Sequence, residues 1–365
     1  MSGAIRLSRM VVLAVGAGAL GGVALPALVA GDPRADTGDT RSVVLSLGAL
    51  PAPAIRTTTS ERQALDLLWK AARAGRDRAY SGTQYVSSWS TAGTSSLVVD
   101  LQHVPGKGVL VRRAGATTPT AADTTGAAAL DPRPLAVLEK HYSVTVAAQL
   151  GQCAGRTAHV VEARRRGDSA LAGRFWLDSE TGLLLRRELY DPAGRAVRAA
   201  AFVDLQMTVS HPWAAPPQAA PAGGAATMST RELEGLRRAG WSAPAVVGGG
   251  LELFDARHRS GVLHLSYTDG LFAVSVFSQR GHLNPESVKG WQRVKMNGTS
   301  VWTRPGLSQR VVWAGDGWVR TVVADAPGPV VSATVMAFPA SADESFPDRV
   351  QRGLHRMASW LDPTQ

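Results

Sequence analysis

Residues 80–113, YSGTQYVSSWSTAGTSSLVVDLQHVPGKGVLVRR, decide the fold because they contain three β-rich runs separated only by short turns. The turns contain Thr91-Ala92-Gly93-Thr94 and Pro105-Gly106, which are typical turn residues. Because connections this short cannot carry a crossover, the three strands are predicted to be antiparallel neighbours in one sheet. The predicted strands are residues 81–89, 95–104 and 108–113.

A helix is predicted before this stretch and a second group of strands after it. Ser60 and Gln63 form a capping box, and the following apolar residues recur at helical spacing. A Thr-, Ala- and Gly-rich loop is predicted at 114–129 and a short helix at 134–142. Residues 59–210 are therefore predicted to form a first domain with one long antiparallel sheet. Its later strands are predicted at 158–163, 173–177, 183–189 and 196–205.

A second domain, residues 229–365, is predicted after a Pro- and Ala-rich linker at 211–228. Ser229 and Glu232 form a second capping box and begin a helix. Strands 262–267 and 271–277 are joined through Thr268-Asp269-Gly270, whose Asp-Gly pair suits the positive φ angles of a tight hairpin turn. Further strands are predicted at 291–295, 300–304, 309–314, 318–324 and 330–337, and a helix at 347–361.

The N-terminus carries the pattern of an export or anchoring segment. Arg6 and Arg9 precede an uncharged stretch of residues 10–30, and acidic residues follow it. Since basic residues stay on the cytoplasmic side, the body of the protein is predicted to lie on the extracytoplasmic side of the inner membrane. Residues 1–31 are either a cleaved signal peptide or a membrane anchor, and residues 32–58 are a flexible tether.

Composition indicates a globular protein and argues against several classes of site. The 365 residues are 45% hydrophobic and 19% charged, and the formal charge of +10 is spread along the chain. A nucleic-acid partner is therefore not expected. Because Cys153 is the only cysteine, neither an intramolecular disulfide nor a cysteine metal cluster can form.

No catalytic motif is recognised in the chain. It lacks a Walker loop, a zinc-protease helix motif and a nucleophile elbow. Ser81, Asp100 and His103 could be imagined as a hydrolytic trio, but their spacing does not support it. The prediction is therefore no enzyme, no catalytic residue, no metal and no cofactor. An envelope enzyme with an unrecognised site remains a rival interpretation.

Several motifs resemble the RseB/MucB family. Tyr80-Ser81-Gly82-Thr83 resembles the family's opening strand, and Phe175-Trp176-Leu177-Asp178 followed by Thr181-Gly182-Leu183-Leu184-Leu185 resembles its W-x-D-x-x-T-G-L-L-L stretch. Residues 266–271 and 275–277 are similar to its Y-S-D-G-L-x-x-x-S-V-F hairpin. The motifs occur in the family's order between about residues 59 and 338.

This resemblance implies a fold and a function. The fold is α+β, with a half-open antiparallel β-barrel covered by helices (LolA/LolB-like) and a smaller α+β domain with an antiparallel sheet. The function implied is non-enzymatic. The second domain holds the extracytoplasmic region of a single-pass anti-sigma factor and modulates its proteolysis, until a lipid or lipoprotein signal in the first domain releases it. The alternative is a lipid or lipoprotein carrier of the cell envelope.

Candidate site residues are apolar and aromatic. A curved sheet closed by an apolar helix suits an acyl chain, while clustered tryptophans form either cores or recognition surfaces. The cavity candidates are Leu65, Leu68, Trp69, Tyr85, Trp89, Trp176, Leu184 and Phe202. The partner-binding candidates are Trp302, Trp313 and Trp318.

Overall fold

The computed structural model describes residues 61–90, 93–113, 120–121, 130, 132–214 and 227–338. The predicted export segment, tether and C-terminal helix at 347–361 lie outside these residues, as do most of the 114–129 loop and of the linker. None of the helices within the described ranges is long and apolar enough to cross a membrane.

Four α-helices lie in the described residues, and three of them were predicted. In the first, Ala64, Leu68, Ala71 and Ala72 are fully buried and form one face at helical spacing. In the third, Ser229 and Glu232 make the predicted reciprocal capping box. The helices are α1 (Glu61–Asp77), α2 (Pro132–His141), α3 (Thr230–Arg238) and α4 (Gly328–Met336).

Helix α4 corrects a prediction, because residues 330–337 were expected to form a strand. Pro329 stands in its first turn, where a missing N–H costs no hydrogen bond. Val331, Thr334 and Val335 are buried at helical rather than alternating spacing. The helix also packs against Gly248, where an added Cβ would lie 2.5 Å from the Ala333 Cβ. Tertiary packing thus overrides the β preference of valine.

The first sheet contains ten strands among the described residues and remains open, since its outermost strands β4 and β5 do not pair with each other. Neighbours are antiparallel, in the order β4-β3-β2-β1-β10-β9-β8-β7-β5, with β6 paired to β7. The strands are β1 (Tyr80–Ser90), β2 (Gly93–Val104), β3 (Gly108–Arg113), β4 (Thr120–Ala121), β5 (Tyr142–Val146), β6 (Gly151–Cys153), β7 (Arg156–Arg165), β8 (Leu171–Asp178), β9 (Leu184–Tyr190) and β10 (Ala196–Gln206).

The second sheet contains eight antiparallel strands in the part of the chain described. Their order is β11-β12-β13-β14-β18-β17-β16-β15, with α3 and α4 contributing to its core. The strands are β11 (Val246–Val247), β12 (Leu251–Arg259), β13 (Val262–Thr268), β14 (Ala273–Arg280), β15 (Gln292–Met296), β16 (Thr299–Arg304), β17 (Gln309–Gly315) and β18 (Trp318–Asp325). These open antiparallel sheets with a few packed helices confirm the predicted α+β fold class.

The turn at Asp269-Gly270 differs from the Asx-Gly hairpin turn at Asn297-Gly298. Asn297 and Gly298 both have positive φ, of 49° and 88°, as a two-residue hairpin turn requires. At Asp269-Gly270, only Gly270 has a positive φ, of 97°. The expected tight turn is therefore wrong, and residues 269–272 form a longer connection between Thr268 and Ala273.

Candidate functional site

The connection at residues 269–272, called the junction turn below, leaves the second sheet and enters the core of the first. Leu271 and Phe272 are 3% and 2% exposed. They belong to the buried cluster that α1, α2 and strands β5, β7, β8 and β9 form with one another. The turn between two strands of one sheet is thus part of the core of the other sheet.

Asp269 gives the junction turn its shape and joins it to the first sheet. Its Oδ1 accepts hydrogen bonds from the backbone N–H groups of Leu271 and Phe272, at 2.9 and 2.8 Å. Its Oδ2 accepts a 2.6 Å hydrogen bond from the Tyr142 hydroxyl. Burial, reinforced by the Asp269 charge, raises the pKa of Tyr142, so the phenol keeps its proton and stays a donor.

Arg187 lies beneath the junction turn on β9 and donates a hydrogen bond to the Leu271 carbonyl. Burial, together with the nearby charge of Arg198, lowers the pKa of this guanidinium to about 10. At that pKa the group still carries its charge near neutral pH. The two arginines therefore bring positive charge to a largely apolar junction.

Glycine permits the close approach of the turn to α2. A Cβ added at Gly270 would lie 2.4 Å from the Cα of Leu138, a distance that real Cβ atoms do not reach. A Cβ at Gly173 on β8 would lie 3.3 Å from a Leu271 methyl group. Gly270 thus lets the turn approach the backbone of α2, and Gly173 leaves room for the Leu271 side chain on the first sheet.

A second set of polar contacts links β10 to the second sheet. The Arg198 guanidinium donates to the Leu307 carbonyl at 2.6 Å and to Asp325 Oδ1 at 2.9 Å. The two charged side chains are only 9% and 12% exposed. Ser308 donates a further 2.6 Å hydrogen bond to Asp325. This ion pair is therefore largely desolvated and hydrogen-bonded on both sides.

At the rim of the junction, α2 contacts β12. Lys140 Nζ lies 2.8 Å from one carboxylate oxygen of Glu252, and His141 Nε2 lies 3.3 Å from the other. Hydrogen bonding from Lys140 holds the pKa of Glu252 below its usual value. The guanidinium of Arg133 lies 5.7 Å from the Phe254 ring centroid. These groups are more exposed than those under the junction turn.

Five of the eight cavity candidates lie on the inner side of the first sheet or on α1. Leu68 and Leu184 are fully buried in the cluster that includes Leu271 and Phe272. Leu65 and Trp69 are partly buried against the same cluster. Phe202 lies in a neighbouring cluster with Tyr80, Leu101 and Leu183.

The other three cavity candidates belong to neither of these clusters: Trp176 lies on β8, and Tyr85 and Trp89 lie four residues apart on one face of β1. Trp176 follows the buried Phe175 along β8, so the two side chains lie on opposite faces of the sheet. The Arg186 guanidinium lies 4.6 Å from the Trp176 ring centroid. On β1, the Tyr85 hydroxyl donates to Ser96 at an exposed position. Register thus separates three residues from the predicted cavity.

The three tryptophans proposed for partner binding occupy different environments. Trp313 is fully buried in the core of the second sheet, where it has no surface for a direct contact. Trp318 is half-buried, and its ring lies 4.7 Å from that of Trp241. Trp302 is partly buried against a small cluster around Val312. Only Trp302 and Trp318 retain exposed surface.

The imagined hydrolytic trio is not assembled. His103 Nδ1 lies 2.6 Å from the Arg78 carbonyl, while the Ser81 hydroxyl donates to the Thr208 carbonyl. Asp100 instead accepts from Thr83 and Arg112. Among the described residues, no group of three or more His, Cys, Asp or Glu side chains could hold a metal ion.

The sequence reasoning missed the residues that join the two sheets, namely Tyr142, Arg187, Arg198, Leu271 and Phe272. One signal was available for two of them. Leu271 and Phe272 directly follow the glycine of a predicted hairpin turn, where polar residues are usual. Two large apolar residues at such a position indicate a turn that another part of the protein covers.

Residues 110–223 match the family model of the MucB/RseB N-terminal domain. The match bears out the resemblance for this part of the chain, which contains the 175–185 motif but neither the 80–83 motif nor the 266–277 hairpin. None of the curated proteins compared with the chain matches it.

Solved structures align with the chain at low scores. A complex of Pseudomonas aeruginosa MucA and MucB aligns at 21% identity and TM-score 0.41, over 78% of this chain and 100% of that one. MucB in complex with MucA(peri) aligns at 20% identity and TM-score 0.38, over 78% and 100%. A LolA superfamily protein from Nitrosomonas europaea aligns at 8% identity and TM-score 0.18, over 72% and 91%.

Proposed function

We propose, on the premise that residues 110–223 belong to the MucB/RseB N-terminal domain family, that this protein is an extracytoplasmic regulator that binds an anti-sigma factor. The family match is the observation that carries the proposal. In this proposal, residues 59–210 sense a ligand, residues 211–228 are a linker and residues 229–365 hold the partner. Holding the partner modulates its proteolysis and thereby the activity of the envelope-stress sigma factor.

The proposed location follows from the N-terminal sequence. Arg6 and Arg9 before the uncharged residues 10–30 favour a body on the outer side of the cytoplasmic membrane. The segment acts either as a cleaved signal or as an anchor. In both cases the described residues reach the same compartment as the extracytoplasmic region of a single-pass anti-sigma factor.

The junction supports regulation by a ligand rather than catalysis. The junction turn and the Arg198–Asp325 ion pair connect the apolar core of the first sheet directly to the second sheet. A ligand that alters the first core can therefore change the second unit, residues 227–338, through contacts already present. It does so only if it binds one arrangement of the two sheets more tightly than another. We propose a lipid or lipoprotein acyl chain as this ligand and no enzymatic activity.

Partner binding is proposed to use the exposed edge of Trp318 on the second sheet. Its ring packs against Trp241 and under the Arg280 guanidinium, 4.7 Å away. Half-buried tryptophans beside arginines are frequent energetic centres of protein interfaces. Trp302 is a second candidate at a different cluster of the same unit.

A pull-down tests the proposal. A tagged fragment of residues 41–365 is incubated with detergent-solubilised membranes of the host, and retained proteins are identified by mass spectrometry. We expect enrichment of a single-pass anti-sigma factor, weakened by Trp318→Ala but not by Trp89→Ala, a matched change on the first sheet. Recovery of lipids or lipoproteins without an anti-sigma factor would instead support the carrier alternative.

A further inference from the structure

Leu271 and Phe272 occupy an apolar compartment that the first sheet and its helices would otherwise leave open. The compartment is lined mainly by aliphatic side chains, among them Leu68, Leu138 and Leu189. Leu65 and Trp69 of α1 lie at its edge and are partly exposed. The lining therefore suits a flexible hydrocarbon chain as well as it suits the two side chains now present.

Specific polar contacts hold the junction turn in this compartment. The Tyr142 hydroxyl bonds the Asp269 carboxylate, and the Arg187 guanidinium bonds the Leu271 carbonyl. The backbone at Gly270 has a φ of 97° and packs directly on Leu138. For the turn to leave, these two hydrogen bonds must break, and Leu271 and Phe272 must lose their burial.

We propose that Leu271 and Phe272 occupy an acyl-chain site, and that an acyl chain with an anionic head group binds there by displacing the junction turn. Displacement separates the two sheets at this junction and changes the unit that holds the partner. This inference rests on the lipid-sensing part of the proposed function and names the ligand class and the segment that transmits the signal.

The two arginines at the junction explain the choice of an anionic head group. Arg187 bonds the Leu271 carbonyl, and Arg198 bonds the Leu307 carbonyl and Asp325. These three acceptors all belong to the second unit. Separation of the two sheets at the junction therefore takes all three away from the arginines. A guanidinium that loses its hydrogen-bond acceptor while shielded from water is destabilised, so binding of another acceptor becomes favourable. A carboxylate or phosphate at the end of the chain supplies it.

The proposal predicts competition between the turn and the ligand. In the intact protein, the acyl chain must first displace two buried side chains, which reduces its apparent affinity. Leu271→Ala combined with Phe272→Ala vacates the compartment without removing the lining. Each additional methylene that fills vacated space strengthens binding about fourfold. We therefore expect the double variant to bind at least about tenfold more tightly.

The experiment measures binding of cis-parinaric acid, a fluorescent fatty acid, to the purified full chain. A second arm uses vesicles of phosphatidylglycerol, so that a free fatty acid and a membrane phospholipid are distinguished. The matched control is Leu263→Ala, which truncates a leucine in the core of the second sheet and not in the compartment. Tyr142→Phe is the second variant, because it removes one hydrogen bond while leaving the apolar core intact.

The expected result is tighter binding of one or both ligands by the double variant and, by about fivefold, by Tyr142→Phe, with Leu263→Ala unchanged. Ligand should also accelerate hydrogen exchange of amides 269–272 in the wild type. Because Arg187→Gln also removes a hydrogen bond that holds the turn, its measure is a ratio of affinities. The affinity for the fatty acid should fall relative to that for neutral hexadecanol. The proposal is overturned if both ligands bind the double variant and Tyr142→Phe with the affinity of the wild type. It is also overturned if ligand accelerates hydrogen exchange over the whole second sheet.

The proposed function and this inference fail separately. If the pull-down recovers no anti-sigma factor but the double variant binds acyl chains more tightly, the acyl-chain site is supported and the regulatory role is contradicted. If an anti-sigma factor binds but acyl affinity is unchanged in both variants, the regulatory role stands and the inference is overturned.

Discussion

The hydroxyl of Tyr142 and the carboxylate of Asp269, 127 residues apart in the chain, form a 2.6 Å hydrogen bond that joins the two sheets. Tyr142 begins β5 directly after α2. Asp269 begins the junction turn and also bonds two of its backbone N–H groups. One carboxylate therefore both shapes the turn and holds it against the first sheet.

Replacing Tyr142 with phenylalanine should destabilise this junction. The change leaves one oxygen of the buried Asp269 carboxylate without its donor, at a cost of about 1–3 kcal/mol in the free energy of unfolding. Urea denaturation followed by tryptophan fluorescence measures it. Tyr85→Phe is the control, since its hydroxyl bonds Ser96 at an exposed position. Equal stabilities of the two variants would contradict the role of the bond.

Alanine at Gly270 should be more destabilising than alanine at Gly261. Both glycines have positive φ, of 97° and 77°, so each substitution strains the backbone by about 1 kcal/mol. Only at Gly270 would the new Cβ collide with Leu138, whereas nothing lies within 4 Å at Gly261. We expect an additional cost of about 1–3 kcal/mol. Thermal denaturation compares the two; a common melting temperature would argue against close packing here.

Removing Arg198 should cost far more than removing an exposed arginine. Arg198→Ala leaves the buried Asp325 carboxylate without its positively charged partner. We expect the free energy of unfolding to fall by about 3–5 kcal/mol. Arg76→Ala breaks an exposed pair with Asp77, whose side chains are 61% and 64% exposed, and should cost less than about 1 kcal/mol. Denaturant midpoints test this. The double variant Arg198→Met with Asp325→Leu should recover much of the loss.

His264 should make stability fall in mild acid. Burial lowers its pKa to about 4, with Asp255 and Arg257 as the nearby charges. An unfolded histidine titrates near ~6.5, so between these values the unfolded state binds more protons. The contribution is fully present above pH ~6.5 and is lost as pH falls toward the folded pKa.

Between pH 7.5 and pH 5 the expected loss is about 2 kcal/mol. Urea unfolding at both pH values measures it, in the wild type and in His264→Gln, where this part of the pH dependence should disappear. His258→Gln, at an exposed position, is the control. A pH dependence unchanged by His264→Gln would assign the effect to other groups.

Local patterns identified much of the secondary structure, and the misses have identifiable causes. Alternation predicted β1 to β3, and the capping box predicted α3. No strand was predicted at β12, where a bulge between Leu253 and Asp255 interrupts the period of two. The valine-rich sequence of α4 predicts a strand, because the packing of this helix on Gly248 depends on residues distant in the chain.

The cavity candidates likewise include residues that local spacing places correctly and residues that it does not. Apolar spacing identified Leu65, Leu68 and Trp69 on one helix face, because residues three and four apart necessarily lie together there. For Trp176, the neighbouring Phe175 occupies the core instead. A one-residue difference in a strand changes the face of the sheet, and the letters alone do not show which face is covered.

By itself, the sequence determined the alternating strands, the capped helices, the turn positions and the family motifs, because these depend on residues close together in the chain. Only the tertiary structure decided that Asp269 meets Tyr142, that Arg198 meets Asp325, and that Leu271 and Phe272 fill the core of the first sheet. Such contacts join residues far apart in sequence, and they arise from packing two sheets against each other, which no local periodicity encodes.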